Sequence, residues 1–251
     1  QSFTLIHDDI MDEDDLRRGV PAVHEAYDTS TAILAGDTLY SKAFEFMTET
    51  GAAPQDGLEA TRMLASTCTE ICEGQALDVA FESRDDVLPE EYLEMVGLKT
   101  AVLYGASAAT AGLLLGADDD VVEALYRYGI DSGRAFQIQD DVLDLTVPSE
   151  ELGKQRGSDL VEGKETLITL HARQQGVDVD ELVDADTPDE ATEAAVDDAV
   201  DALADAGSIA YARETAEDLT AESKRHLDAL PESGSRSLLA DLADYLIARG
   251  Y

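Results

Sequence analysis

The chain has 251 residues, and its 17 basic and 55 acidic residues give it a formal net charge of −38 at pH 7. This charge repels nucleic acids and anionic membrane surfaces, so neither is expected as a partner. Because 44% of the residues are hydrophobic, the chain can still bury a substantial core, and disorder over most of its length is not expected.

The acidic excess resembles that of proteins from salt-rich cells, where dissolved ions screen the repulsion between charges. We therefore expect a cytoplasmic protein in a salt-rich cell. No apolar run reaches about 18 residues, and no charged-then-apolar leader is present, so neither a membrane span nor a signal peptide is predicted. Cys68 and Cys72 stand four residues apart in a helical pattern, which favours core residues over a disulfide framework.

Helical periodicity runs through nearly the whole chain. Apolar residues recur three and four positions apart at 61–81, at 90–117, which follows Pro89, and at 118–145. Alternating strand patterns and Asn-Gly turns are absent. These patterns predict an all-α bundle.

The C-terminal third is also predicted to be helical. Residues 176–203 are the most acidic and least apolar part of the chain, and we expect a surface loop that leads into a solvated helix without a functional role. Residues 208–250 carry aliphatic stripes typical of one or two closing helices. We expect one domain over residues 1–251.

A short acidic pattern occurs twice, as HDDIMD at 7–12 and as QDDVLD at 139–144. Each copy holds two aspartates one helical turn apart, which repel each other unless a cation lies between them. The two pairs are Asp8 with Asp12 and Asp140 with Asp144. Facing each other, they would form a site with only oxygen ligands, which suits Mg²⁺ or Mn²⁺.

Two questions about these acidic motifs stay open at this point. The next aspartate in each motif, Asp9 or Asp141, is rotated by about 100° and could serve as an outer ligand. In so acidic a chain, the alternative to a metal site is a solvated acidic surface.

Basic residues accompany both acidic motifs. The chain has only five lysines, and a chain so poor in lysine is expected to keep them where a positive charge is needed. Arg17 and Arg18 follow the first motif, whereas Lys154 and Lys164 follow the second. Cations beside a metal site indicate a ligand with several phosphate charges, such as a diphosphate. No Walker loop or dinucleotide fingerprint is present, which disfavours a nucleotide.

Four motifs occur in order: LIHDDIMDEDDLRRGVPAVH, EGQALD, LKTA, and FQIQDDVLDL with the later GKQRGSDLVEGKET. In these motifs the sequence resembles the trans-isoprenyl diphosphate synthases of the polyprenyl synthetase family, from residue 1 to about residue 175. The resemblance implies an all-α isoprenoid synthase bundle around a central cavity. It also implies a prenyltransferase that condenses isopentenyl diphosphate with an allylic diphosphate head to tail.

The resemblance implies a role for each motif residue. Asp8, Asp12 and Asp140 bind Mg²⁺ and form the catalytic set with Lys99. Arg18 contacts the diphosphate of isopentenyl diphosphate. The diphosphate of the allylic substrate is held by Arg17, Lys99, Thr100, Gln137, Lys154 and Lys164.

Three further residues receive roles in this scheme. Gln75 and Asp78 line the cavity, and His7 is a candidate for orienting a ligand. The reaction runs through ionisation, condensation and proton loss, so electrostatic stabilisation of the departing diphosphate replaces a side-chain nucleophile.

Two residues before the first motif bear on product length. Phe3 stands five positions before Asp8, and Thr4 stands four before it. In the family, an aromatic residue only at the fifth position resembles synthases of the C20 geranylgeranyl chain, aromatics at both positions resemble C15 synthases, and small residues allow longer chains. We therefore expect geranylgeranyl diphosphate, with C15 or C25 as alternatives. An ordinary core role is the alternative for Phe3.

Two expectations concern assembly. The family carries a Gly-Lys-x-x-Arg-Pro type motif for isopentenyl diphosphate some tens of residues before the first aspartate motif, whereas seven residues precede Asp8 here. We therefore expect an N-terminally truncated synthase without those helices. The Ala- and Gly-rich stretch at 101–116 favours close helix packing and, with the resemblance, a homodimer.

Other protein classes share some of these features. Terpene cyclases share the bundle but have a different second metal motif, and squalene- or phytoene-type synthases lack the GKQRGSDL segment. A non-catalytic subunit or an acidic cation-binding protein is a further alternative. The motif lysines, kept in a lysine-poor chain, argue against it.

Overall fold

A computed structural model of the protein describes residues 1–81, 83–84, 86–149, 155–185, 187 and 190–248. These residues are largely helical, which confirms the predicted all-α class. Among the helices described, none is both long enough and apolar enough to cross a membrane.

The helices are numbered in chain order. They are α1 (Ser2–Met11), α2 (Val23–Ala26), α3 (Thr29–Thr48), α4 (Pro54–Phe81), α5 (Pro89–Val96), α6 (Val102–Leu114), α7 (Asp119–Thr146), α8 (Ser158–Val161), α9 (Leu167–Gln174), α10 (Glu193–Asp205), α11 (Ser208–His226) and α12 (Gly234–Ala248). A π-helical segment, Gly97–Ala101, joins α5 to α6. An antiparallel hairpin pairs β1 (Leu16–Arg17) with β2 (Val20–Pro21) and was not predicted.

The chain divides into two compact units. The first comprises residues 1–65 and 113–116, and the second comprises residues 66–112 and 117–251. The single domain predicted over residues 1–251 stays a prediction.

In the first unit, α1 packs along α3. The contact is close because Gly36 of α3 has no side chain, and a Cβ atom there would lie 2.2 Å from Nε2 of His7. Helix α3 begins at a favourable cap, since the Asp28 carboxylate accepts a hydrogen bond from the backbone N–H of Thr31 at 2.9 Å. The helix that carries the first acidic motif therefore packs directly against the backbone of α3.

In the second unit, α7 is the central helix and packs most extensively against α11. Its buried side joins the main hydrophobic core, which includes Phe81, Tyr92, Met95, Ile138, Val142, Leu167, Ile168 and Leu203. Burial of apolar area of this kind is the dominant stabilising term in folding.

Glycines bring α6 and α7 into backbone contact. A Cβ atom on Gly129 would lie 2.5 Å from Cα of Gly105, and one on Gly133 would lie 2.7 Å from Cα of Ala101. The glycine face of the Ala- and Gly-rich helix is therefore used inside the chain. The homodimer stays a prediction.

The Gly129→Ala variant tests this backbone contact. Its methyl group would meet Gly105 with no flexible side chain to give way, so we expect unfolding free energy to fall by about 1–3 kcal/mol. Gly57→Ala in α4 is the matched control, because nothing lies within 4 Å of its Cβ position and alanine favours the helix. Denaturant unfolding at constant KCl would measure both, and equal stabilities would contradict the packing argument.

The salt dependence of stability tests the reading of the acidic surface. Repulsion among unscreened carboxylates opposes the compact state, and screening shortens from about 10 Å at 0.1 M salt to about 3 Å at 1 M. We expect the melting temperature to rise steadily with KCl. A melting temperature that does not change with KCl would reject the expectation.

Candidate active site

The first acidic motif lies at the C-terminal end of α1. The helix ends at Met11, and the backbone N–H of Asp12 still donates to the carbonyl of Asp8 at 2.9 Å. Asp8 and Asp12 therefore stand one helical turn apart, as their spacing predicts.

Arg17 binds the carboxylates of this motif. Its Nε atom donates to Oδ1 of Asp9 at 2.6 Å, and its terminal nitrogen donates to Asp14 at 3.1 Å and lies 3.9 Å from Asp8. Asp9 is only 2% exposed. Burial lowers the pKa of the Arg17 guanidinium, but the hydrogen bond and charge of Asp9, with the charges of Asp14 and Asp8, raise the pKa overall. Asp9 therefore anchors a permanent cation beside Asp8.

Arg18 lies at the tip of the unpredicted hairpin. Arg18 and Gly19 both have positive φ angles, 54° and 76°, between the paired residues Arg17 and Val20. A two-residue turn of this kind matches the twist of the strands but normally carries Asn-Gly. The hairpin was therefore not predicted, because its turn carries Arg-Gly. Arg18 is exposed at the tip, whereas Arg17 contacts the carboxylates.

His7 does not extend the motif along α1. Its Nε2 atom lies 3.3 Å from the carbonyl of Ile33 and 3.7 Å from Oδ1 of Asp37, both on α3. These contacts give His7 a packing role, and its candidate role towards a ligand stays a prediction.

In the second unit, Lys99 is placed by a backbone contact between α4 and the π-helical segment. A Cβ atom on Gly74 would lie 2.2 Å from the backbone nitrogen of Lys99. The Lys99 Nζ atom donates to Oδ2 of Asp78 at 2.6 Å, and Gln75 is buried on the same helix. Such π-helical turns are frequent at functional sites. The structure thus joins the EGQALD and LKTA motifs.

A chain of hydrogen bonds runs from Thr100 into the core. The Thr100 hydroxyl donates to Gln137 at 3.3 Å, and the Gln137 amide donates to Oδ1 of Asp141 at 3.0 Å. The Tyr92 hydroxyl donates to the other oxygen of Asp141. Burial, followed by the charge of Asp159, raises the pKa of Asp141 well above its usual range. Burial and Asp141 likewise raise the pKa of Tyr92.

The three aspartates of the second motif have different environments. Asp144 is 1% exposed and accepts hydrogen bonds from the Ser158 hydroxyl at 3.0 Å and from the backbone N–H of Asp159 at 3.3 Å. Asp140 is half-buried. Asp140 and Asp144 therefore differ in their surroundings, because Asp144 is a buried acceptor for the following loop.

The two motif lysines after α7 have different outcomes. Lys154 lies outside the described residues. Lys164 is half-buried, with its Nζ atom 2.8 Å from Oε2 of Glu162 and 3.6 Å from Oδ1 of Asp159. Sequence reasoning missed Tyr92 and Ser158, since neither carries a local signal for contact with a motif aspartate.

The predicted metal ligands have the chemistry that suits a hard divalent cation. Asp8, Asp12 and Asp140 offer carboxylate oxygens, the ligands that Mg²⁺ takes together with substrate phosphates. Within the described residues, no three His, Cys, Asp or Glu side chains are grouped so as to hold a metal ion by themselves. The metal assignment stays a prediction.

Comparisons with known proteins identify the family of the chain. The model of the polyprenyl synthetase family matches residues 1–203. A geranylfarnesyl diphosphate synthase of Natronomonas pharaonis is 66% identical over the whole chain, which covers 72% of that protein.

Solved structures extend the similarity to the fold. A geranylgeranyl pyrophosphate synthetase of Geoglobus acetivorans matches with a TM-score of 0.89 and 46% identity, over 98% of this chain and 76% of that one. A polyprenyl synthase of Caulobacter crescentus, complexed with calcium and isoprenyl diphosphate, matches with a TM-score of 0.88 and 33% identity, over 99% and 75%. The chain therefore belongs to the polyprenyl synthetase family and is a short-chain trans-prenyltransferase.

Proposed function

We propose that this enzyme condenses isopentenyl diphosphate with an allylic diphosphate and makes geranylgeranyl diphosphate. The observation that carries the diphosphate chemistry is the pairing of motif cations with carboxylates: Arg17 with Asp9, and Lys99 with Asp78. Each cation is held in place by a neighbouring carboxylate, so a bound diphosphate would meet preorganised positive charge. The cytoplasmic location and the salt-rich setting stay predictions.

The residues divide into two substrate roles. The allylic diphosphate is held by Arg17, Lys99, Thr100, Gln137, Lys154 and Lys164. Arg18, exposed at the hairpin tip, contacts isopentenyl diphosphate. The allylic carbon–oxygen bond breaks, the isopentenyl double bond attacks the resulting cation, and the released diphosphate takes the proton.

We further propose Mg²⁺ as the cofactor, with Mn²⁺ as a substitute. Asp8, Asp12 and Asp140 would hold it, since their oxygens suit a hard cation. When bound, the metal stabilises negative charge on the departing diphosphate. The calcium reported in the Caulobacter crescentus structure supports a divalent cation in the family.

The proposed product length depends on Phe3. Its ring packs edge-on against Tyr40 of α3 at 5.1 Å between centroids, and Tyr40 in turn contacts Phe44 at 5.2 Å. Such edge-to-face contacts are favourable and hold the ring in place. A fixed aromatic ring five positions before Asp8, about one and a half helical turns from the first acidic motif, suits a C20 product. A C25 product is the second candidate, because the relative from Natronomonas pharaonis is named a geranylfarnesyl diphosphate synthase.

The aspartate assignments predict a large loss of turnover. Asp8→Asn and Asp140→Asn keep the side-chain shape but remove the charge needed to hold a divalent cation, so we expect kcat to fall by about a hundredfold or more. Asp119→Asn, an exposed position on α7, is the control and should retain activity. Diphosphate release at constant Mg²⁺ measures the effect, with circular dichroism to verify folding. Near-normal turnover in either motif variant would defeat the assignment.

Product length provides a separate test. In the Phe3→Ala variant the ring is gone, and we expect the main product to lengthen from C20 to C25 or beyond. Phe46→Ala replaces an exposed aromatic of α3 and should leave the product unchanged. Chromatography of the dephosphorylated products gives the chain length. If wild-type enzyme already makes C25, the second candidate holds; if the Phe3 variant still stops at the wild-type length, Phe3 does not limit it.

A further inference from the structure

The loop between α7 and α9 is anchored from the side of the second acidic motif. We call residues 156–164 the lysine segment, because it ends at Lys164. Its start is bonded to Asp144 three times: by the Gly157 N–H to the Asp144 carbonyl at 2.9 Å, by the Ser158 hydroxyl, and by the Asp159 N–H. These bonds fix the start of the segment against α7.

Arg156, the first residue of the lysine segment, anchors the same start of the segment to a second helix. Its Nε atom donates to the carbonyl of Leu145 at 2.6 Å, near the end of α7. Its Nη1 atom donates to Oδ1 of Asp197 at 2.7 Å and lies 3.5 Å from Oε2 of Glu193, both on α10. The Arg156 N–H donates to the Ser149 hydroxyl at 2.9 Å. One guanidinium, 14% exposed, therefore joins the segment to two helices.

Helix α10 is itself held firmly enough to serve as an anchor. Its apolar side buries Val196, Ala199 and Leu203 almost completely. Gly157 lies directly against this helix, since a Cβ atom there would be 3.0 Å from Cγ1 of Val196. The acidic stretch at 176–203 was predicted to have no functional role, yet its helix presents two carboxylates to the loop that carries a motif lysine.

We propose that Arg156, Glu193 and Asp197 form a clamp that positions Lys164 for the allylic diphosphate. The proposal rests on the proposed function, since it takes Lys164 to be a diphosphate ligand. The three clamp residues touch no substrate and are positioning residues. The planar guanidinium serves a carbonyl and a carboxylate from different edges at once, which the single ammonium group of lysine cannot reproduce.

Steady-state kinetics of the enzyme at constant high KCl test the clamp. In the Arg156→Ala variant, we expect the KM for geranyl diphosphate to rise about tenfold. This is the effect of losing one charge-assisted hydrogen bond from Lys164 to the diphosphate. The KM for isopentenyl diphosphate should stay within about twofold. Arg156→Lys and Asp197→Asn should show smaller increases in the geranyl diphosphate KM. The double variant Arg156→Ala/Asp197→Asn should resemble Arg156→Ala, because the two residues share one interaction.

The matched control is Arg127→Ala. Arg127 forms an ion pair with Glu123 at 2.7 Å on the exposed side of α7, and its loss should change neither KM. An unchanged geranyl diphosphate KM in Arg156→Ala overturns the clamp, as does an equal rise in both KM values. Should Arg156→Ala fail to fold, Asp197→Asn decides in the same way, because Asp197 is largely exposed.

A Lys164→Ala variant distinguishes a failure of the clamp from a failure of the proposed function. If it raises the geranyl diphosphate KM while the clamp variants do not, the clamp is wrong and the proposed function stands. If Lys164→Ala leaves that KM unchanged, the ligand role of Lys164 fails, and the clamp falls with it.

Discussion

The contact between α4 and the π-helical segment Gly97–Ala101 is the constraint on which the second-unit part of the candidate site depends. Gly74 lets the two backbones meet at Lys99, and Lys99 then reaches Asp78 across the same contact. Helix α7 approaches α6 and the end of the π-helical segment through Gly129 and Gly133. This approach brings Gln137 to Thr100. Packing and polar geometry are therefore set by the same few glycine contacts.

The acidic motifs combine two physical roles that their sequences do not separate. Asp9, Asp141 and Asp144 are buried, and each accepts hydrogen bonds from groups that fix local structure. A buried carboxylate is costly without such donors. Asp8 and Asp140 are only partly buried. In a chain of net charge −38, the buried motif carboxylates therefore stabilise local structure, and the partly buried ones are accessible for the proposed metal binding.

Local pattern predicted what depends on local structure. The helical spacing of Asp8 and Asp12, the helix after Pro89 and the ordered motifs that identify the family are all visible within short stretches. The role of Asp144 depends on Ser158, 14 residues away, and the contact of Arg156 with Asp197 spans 41 residues. Tertiary contacts of this kind leave no periodic signal. The hairpin at Arg18 was missed because its turn lacks the usual Asn-Gly pair.

The left-handed backbone of Arg18 has an evolutionary consequence. A non-glycine residue in that region costs roughly 1–2 kcal/mol, and Asn or Gly would relieve most of it. A laboratory selection for thermal stability alone would therefore be drawn to position 18, where the gain in stability would remove a positive charge from the hairpin tip. Persistence of arginine at such a site under selection for both properties would indicate that the charge is worth more to the organism than the relaxed turn.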